Sequence, residues 1–311
     1  MNLAMVFPGQ GSQSVGMQAE LAAIYPQIRE TYDEASDLLG FDLWMTVQDG
    51  PREVLDRTTV TQPAMLTAGV AAWRAWCRHG GRKPAIMAGH SLGEFTALVC
   101  AESISFQDAL NLVRARARYM QEASPQGDSA MAAVLGLSDK EVIDICDNAS
   151  GIGIAEPVNF NSPGQVVISG HKGAVQRAVV LAKEQGARRA ILLHVSVASH
   201  STLMRPAGDA LAENLAEVEV RPPKITVISA TDVRPYKDGD DIRHELRRQV
   251  SSPVQWVLTT RALIELGATK IVECGPGNVL AGLCRRIDRS VTAICLDAPE
   301  SFADAMNQEY N

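Results

Sequence analysis

Four short, largely apolar runs stand out along the chain, at Leu3 to Phe7, Ala85 to Ala88, Ile225 to Ser229 and Lys270 to Glu273. Each is strand-length. Between them lie long stretches in which apolar residues return every three or four positions, the period of a helix with one buried face. Short strands alternating with such helices predict an α/β fold built on a mainly parallel sheet. Open sheets of this kind carry their sites in loops at the carboxyl ends of the strands. The strand ends at Gly89 and at Gly275-Pro276-Gly277 suit such loops.

The rhythm changes after Ala123, where Ser124-Pro125-Gln126-Gly127-Asp128-Ser129 gathers turn formers. Beyond it the pattern predicts a strand from Ala130 to Leu135 and a helix opening at Ser138, with Glu141 three residues on as a capping box. A strand near Glu156 to Phe160 follows, then a turn at Asn161-Ser162-Pro163-Gly164 and a strand from Gln165 to Ser169. A helix from Lys172 to Gln185 and a strand from Ala190 to Val197 complete a βαββαβ order, which is ferredoxin-like. The predicted organisation is a large α/β domain made of 1–124 and 199–311, with 125–198 inserted as a small domain.

Composition narrows the function classes. The 311 residues are 46% hydrophobic and 21% charged, ordinary for a globular enzyme able to bury a large core. The formal net charge of -7 excludes the global basic field that nucleic-acid binding needs. The first residues have neither the basic flank nor the long apolar region of a signal peptide, and no stretch approaches the roughly 20 apolar residues of a membrane span. Cys77, Cys100, Cys146, Cys274, Cys284 and Cys295 are scattered, without metal-site spacing. A reduced, cytoplasmic protein with mostly buried thiols and no metal or cofactor is expected.

Gly89-His90-Ser91-Leu92-Gly93 follows one predicted strand and opens the helical run Glu94 to Cys100, the context in which G-x-S-x-G forms a nucleophile elbow. The glycines let the chain reverse without Cβ clashes, and the helix N-terminus favours negative charge near the Ser91 hydroxyl. A glycine-rich turn with a capping serine is the alternative. A serine needs a base. Of the six histidines, His79, His171 and His244 fall in polar or turn segments, and His194 lies inside a predicted strand. His90 adjoins the nucleophile, but neighbouring side chains diverge at a sharp turn, which leaves it a supporting role. His200, just past a strand end in Ser199-His200-Ser201, is the best base. No acid stands out to orient its ring, so a Ser–His dyad with a backbone carbonyl as the orienting group is the simplest arrangement.

The run Phe106 to Ala123, capped by Ser105, places Ala109, Leu110, Val113, Ala117 and Met120 on one side. Arg116 points into that apolar arc, whereas Arg114 and Arg118 lie on the polar side. A buried guanidinium without a partner costs several kcal/mol. Arg116 therefore requires either a structural acid or an anionic ligand, and its planar fork suits a carboxylate.

At these residues the sequence resembles the malonyl-CoA:acyl carrier protein transacylases of fatty-acid synthesis and the related acyltransferase domains of polyketide synthases. Phe7-Pro8-Gly9-Gln10-Gly11-Ser12-Gln13, Gly89 to Glu94, Arg116, Asn159 to Gln165, Ser199-His200, Gln249-Val250 with Pro253 to Trp256, and Glu273 to Gly277 fall in family order over nearly the whole chain. The resemblance implies an α/β-hydrolase-like large domain with a ferredoxin-like insert. It implies malonyl-CoA and acyl carrier protein as partners, with Ser91 as nucleophile, His200 as base and Arg116 on the malonyl carboxylate. It also implies an oxyanion hole from the N–H groups of Gln10 and Leu92, the Gln249 carbonyl orienting His200, and His90 and Asn161 within the substrate site.

Two positions depart from the family pattern. Ser129 stands where a glycine is usual, which bears on a local turn. Ser199 stands where large synthases carry Phe for malonyl and Ser for methylmalonyl; free-standing bacterial members also tolerate Ser there, so malonyl is favoured and the methylmalonyl option stays open. Arg188-Arg189, Arg247-Arg248 and Arg285-Arg286 are candidate basic patches for an acidic carrier protein. The rival reading is an esterase or thioesterase, which would give Arg116 nothing to bind; a carrier-docking module without catalysis would not need Ser91 and His200 together.

Overall fold

The computed structural model describes residues 2–124, 127–193, 195 and 197–307. Its strands are β1 (Asn2–Phe7), β2 (Ile86–Gly89), β3 (Ser129–Leu135), β4 (Ala155–Ser162), β5 (Gln165–His171), β6 (Arg189–Leu192), β7 (Thr226–Ile228), β8 (Ala268–Glu273) and β9 (Thr292–Cys295). Five of them form a wholly parallel sheet in the order β7-β2-β1-β8-β9. The other four form an antiparallel sheet in the order β4-β5-β3-β6, and in the chain they lie between β2 and β7. This is the expected α/β class, with a βαββαβ unit set into a parallel-sheet fold.

The large sheet is buried on both faces, which explains why its strands read as apolar runs rather than as alternating ones. Along β1, Leu3, Met5 and Phe7 join one apolar cluster with Met87 and Val272, while Ala4 and Val6 join another with Ile86, Ala88 and Ile271. Period-two alternation thus feeds two cores from one strand. Because every pair is parallel, Phe7, Gly89 and Glu273 end at one edge, and the loops after β1, β2 and β8 converge there.

In the antiparallel sheet, Ser138 caps the helix Asp139–Ala149 through a complete capping box with Glu141. Three sequence expectations are corrected. Asn161 and Ser162 belong to β4, with a register irregularity between Phe160 and Ser162, so the turn into β5 is only Pro163-Gly164. Such an irregularity re-aims a side chain, here Asn161, toward the edge where the two sheets meet. The strand expected to run from Ala190 to Val197 stops at Leu192, after which the Val195 N–H turns back onto the Leu193 carbonyl at 3.0 Å. β9 had no counterpart in the reading of the sequence. Pro125, Gln126, His194 and Ser196, which fell in the expected turn and strand, lie outside the described residues.

Beside the site the small sheet is tied to the segment that joins the helices Gly239–Gln249 and Trp256–Glu265. The Val254 N–H donates to the Val158 carbonyl at 2.8 Å, and the Phe160 N–H donates to the Val254 carbonyl at 3.0 Å. Ser129 begins β3 opposite His171, and its hydroxyl bonds that of Ser124, so the departure from glycine is absorbed at a strand start.

Candidate active site

A cavity of about 410 Å³ opens at the carboxyl edge of the parallel sheet, where the β4–β5 side of the small sheet faces it. Gln10, His90, Ser91, Leu92, Arg116, Asn161 and His200 all line it. Gln249, the eighth residue expected there, stands behind them and reaches the site through hydrogen bonds.

The elbow shows what its glycines are for. Neither Gly89 nor Gly93 has a positive φ; the left-handed residue is Ser91, at φ 53°. The glycines are required by space. A Cβ on Gly89 would lie 2.0 Å from the Gly93 carbonyl carbon, and one on Gly93 would lie 2.0 Å from the Phe7 carbonyl oxygen. Such overlap forces the backbone apart, so Gly93→Ala should lower stability by about 1–3 kcal/mol and displace Ser91. Thermal unfolding together with residual acyl transfer would check this; a variant of unchanged Tm and activity would contradict the packing argument. The close approach of β1 and the elbow also sets Gln10 beside Leu92. Neither of their N–H groups is engaged by a protein acceptor among the described residues.

Ser91 Oγ lies 2.6 Å from His200 Nε2. His200 Nδ1 lies 2.8 Å from the Gln249 carbonyl and 3.1 Å from the Ser252 carbonyl. Carbonyls only accept, so Nδ1 carries the hydrogen and Nε2 presents its lone pair to the serine. His200 is itself left-handed, at φ 64°, and its N–H is anchored on the Val250 carbonyl at 3.1 Å. Strained backbone at both members of the pair is typical of reacting residues held by their surroundings. Burial, and next the Arg116 charge, lower the imidazole to about 3, so it is neutral at physiological pH.

Arg116 sits in the helix Phe106–Glu122, which Ser105 caps through the Asp108 N–H. It is 2% exposed. It donates to Gln62 Oε1 at 2.8 Å, to Gln249 Oε1 at 3.2 Å and to Ser91 Oγ at 3.2 Å. All three acceptors are neutral. Its Nε is buried without a partner, and burial lowers the guanidinium to about 10, which still leaves it charged. Of the two alternatives posed by the sequence, a structural acid on Arg116 is therefore absent: no carboxylate of the described residues forms an ion pair with it.

Gln249 and Glu94 stand behind these groups. The Gln249 amide donates to the Ser91 carbonyl at 2.8 Å and to Glu94 Oε2 at 2.6 Å. Glu94 also accepts from Tyr236 and from the Ala230 N–H. Burial pushes its carboxyl up to about 7, against the pull of those donors. Gln62, Glu94 and the Gln249 side chain were missed by the sequence reading. A polar residue within an otherwise apolar buried helix, as at Gln62 and Glu94, was the available signal.

His90 does not point away from the site: its Nε2 bonds Asn161 Oδ1 at 2.9 Å and its ring tilts against Trp256. Among the other histidines, His79 and His244 are exposed as expected. His171 is half-buried and accepts the Ile154 N–H at 2.9 Å, which corrects its expected solvated state. Of the basic pairs, Arg247 is held by Asp209 and Arg248 by Asp232 and Glu245. Arg286 reaches Gln165 at the cavity rim. The thiols follow expectation in that Cys100, Cys146, Cys274 and Cys284 are buried, with Cys77 exposed. No helix among the described residues is long and apolar enough to cross a membrane.

Comparison with known proteins agrees with this geometry. Residues 4–294 match the acyl transferase domain family. The malonyl CoA-acyl carrier protein transacylase of Escherichia coli strain K12 is 51% identical over 303 residues, covering 97% of this chain and 98% of that protein. The acyl-carrier-protein S-malonyltransferase of Burkholderia pseudomallei 1710b superposes with a TM-score of 0.97 at 50% identity, over 99% of this chain and 100% of the other. A malonyl-transacylase in complex with its type II PKS acyl-carrier protein superposes with a TM-score of 0.98 at 47% identity, over 99% of this chain and 100% of that one. With a paired Ser91 and His200 beside an arginine that no described acid contacts directly, and with relatives of this identity along almost its full length, the chain belongs to the acyl transferase domain family, among the malonyl CoA-acyl carrier protein transacylases.

Proposed function

We propose that this chain moves a malonyl group from malonyl-CoA to the phosphopantetheine thiol of acyl carrier protein in fatty-acid synthesis, through an ester on Ser91, in a ping-pong cycle. One observation carries the reading: a charged, buried Arg116 whose protein partners are all neutral lies 3.2 Å from the hydroxyl that His200 activates. A neutral acyl group offers that cation nothing. A dicarboxylic acyl group offers a carboxylate.

In the first half-reaction, Ser91 Oγ attacks the thioester carbonyl while its proton passes to His200 Nε2. The developing oxyanion is held by the Gln10 and Leu92 N–H groups; loss of one such donor typically costs about 10²–10³ in rate. The imidazolium is stabilised through Nδ1 by the Gln249 and Ser252 carbonyls. It returns the proton to the departing thiolate of coenzyme A. In the second half-reaction, His200 takes the proton of the carrier thiol, which attacks the ester, and returns that proton to Ser91 Oγ as the ester C–O bond breaks. His90 and Asn161 form a bonded pair on the cavity wall and shape the acyl site.

Because a base works in its unprotonated form and burial lowers His200, the base is lost only as pH falls through that low value. The kcat/KM for malonyl-CoA should therefore not decline between about pH 7 and pH 5; an acid limb near the ordinary histidine value of about 6.5 would contradict the neutral, buried base. The function itself is tested by intact mass spectrometry after mixing with malonyl-CoA. A stable adduct one malonyl heavier, discharged by carrier protein, supports transfer. Rapid discharge by water supports an esterase, and no adduct supports a docking module.

A further inference from the structure

We propose that Glu94 is the charge-compensating residue of the acyl site: it balances Arg116 while the site is empty and takes up one proton from solvent when a malonyl carboxylate pairs with that arginine. The inference rests on the malonyl–Arg116 reading and deepens it. Arg116 and Glu94 are both fully enclosed and are bridged by one amide. Gln249 Oε1 accepts from Arg116 at 3.2 Å, and Gln249 Nε2 donates to Glu94 at 2.6 Å. Above the pH at which Glu94 ionises, the empty site holds one cation and one anion. Malonate adds a second anion to the same low-dielectric volume, where an unbalanced charge costs several kcal/mol, and the group that can relieve it is a carboxylate already raised toward neutrality by its burial.

The surroundings permit the added proton. In the empty site every partner of Glu94 donates: Tyr236 Oη–H and the Ala230 N–H to Oε1, Gln249 Nε2 to Oε2. Tyr236 is a hydroxyl rotor whose oxygen also has lone pairs, so it can turn its hydrogen away and accept from a protonated Glu94. The other charged groups facing this spot do not compete. Glu245, on the helix Gly239–Gln249, is held by Arg248 at 2.9 Å and Arg234 at 3.4 Å, and Asp241 is held by Arg234 at 2.7 Å. His200 stays neutral, and Tyr236 is pushed further up by burial.

The test is the pH dependence of the loading equilibrium, read as the malonylated fraction by intact mass spectrometry at a fixed ratio of malonyl-CoA to free coenzyme A. Ionisation of the coenzyme A thiol acts equally on parent and Glu94→Gln and cancels in their ratio. Parent loading relative to Glu94→Gln should fall by about tenfold per pH unit above the pH at which Glu94 ionises, and should be level below it. Should Glu94→Gln not fold, the same slope is expected within the parent chain when malonyl loading is divided by acetyl loading, because acetyl brings no charge. Flat ratios would overturn the proposal. Arg116→Ala separates the two readings: if it loads malonyl as well as the parent does, the underlying assignment of Arg116 has failed; if it loses malonyl while the ratios stay flat, only the proton uptake has failed.

Discussion

Ser91→Ala should abolish the malonyl adduct and lower transfer to carrier protein by about 10⁶, the scale seen when a serine nucleophile is removed from its base. The loss is chemical rather than structural. Among the described residues Ser91 Oγ bonds only His200 Nε2 and Arg116, so the variant keeps the cavity, the ring orientation through Nδ1 and the carboxylate site. Backbone strain supplies an internal control. At φ 53° an alanine bears the left-handed cost and a glycine does not. Ser91→Gly should therefore be as inactive as Ser91→Ala yet more stable by about 1 kcal/mol. Residual labelling of either variant would place the nucleophile elsewhere. Equal stability would mean that the elbow relaxes when the hydroxyl is removed.

Arg116→Ala should lower kcat/KM for malonyl-CoA by roughly 30-fold to 4,000-fold, which corresponds to the 2–5 kcal/mol typical of truncating one partner of a buried, hydrogen-bonded charge pair. Acetyl transfer should change far less, because an acetyl group has no second carboxylate to lose. Arg116→Lys should restore malonyl transfer only in part, since an ammonium cannot satisfy Gln62, Gln249 and a carboxylate with one planar fork. The truncation also leaves the Gln62 and Gln249 oxygens without a donor, at about 1–3 kcal/mol for each buried group, so Tm should fall. Equal losses of malonyl and acetyl transfer would make Arg116 a structural residue.

Much of this site was legible in the sequence because its parts obey local rules. The period of the helix around Arg116 turns that residue inward whatever it meets there, and the strand–turn–helix context marks Ser91 without knowledge of its base. The capping box at Ser138 and the apolar run of β1 are equally local. What escaped depends on distant parts of the chain. Glu94 reads as one acid in a short helix, and its meaning comes from Tyr236 and Gln249, 142 and 155 residues away. Gln249 was reached only through the resemblance, which named its carbonyl; its amide, bridging Ser91, Glu94 and Arg116, carries no signature in sequence. β9 is a four-residue edge strand added in parallel to β8, too short to show a period. Ser-Pro-Gly after Asn161 predicts a turn there, whereas the pairing of Phe160 and Ser162 with β5 on either side holds it in a strand.

The central claim is that a buried cation holds the free end of a dicarboxylic acyl chain while the adjacent serine carries its other end. A crystal structure of the chain trapped with malonyl-CoA in the absence of carrier protein tests it most directly. An ester on Ser91 Oγ is expected, with the malonyl carboxylate within hydrogen-bond distance of the Arg116 guanidinium. An ester on another residue, or a carboxylate turned to solvent while Arg116 keeps only its glutamine partners, would contradict it.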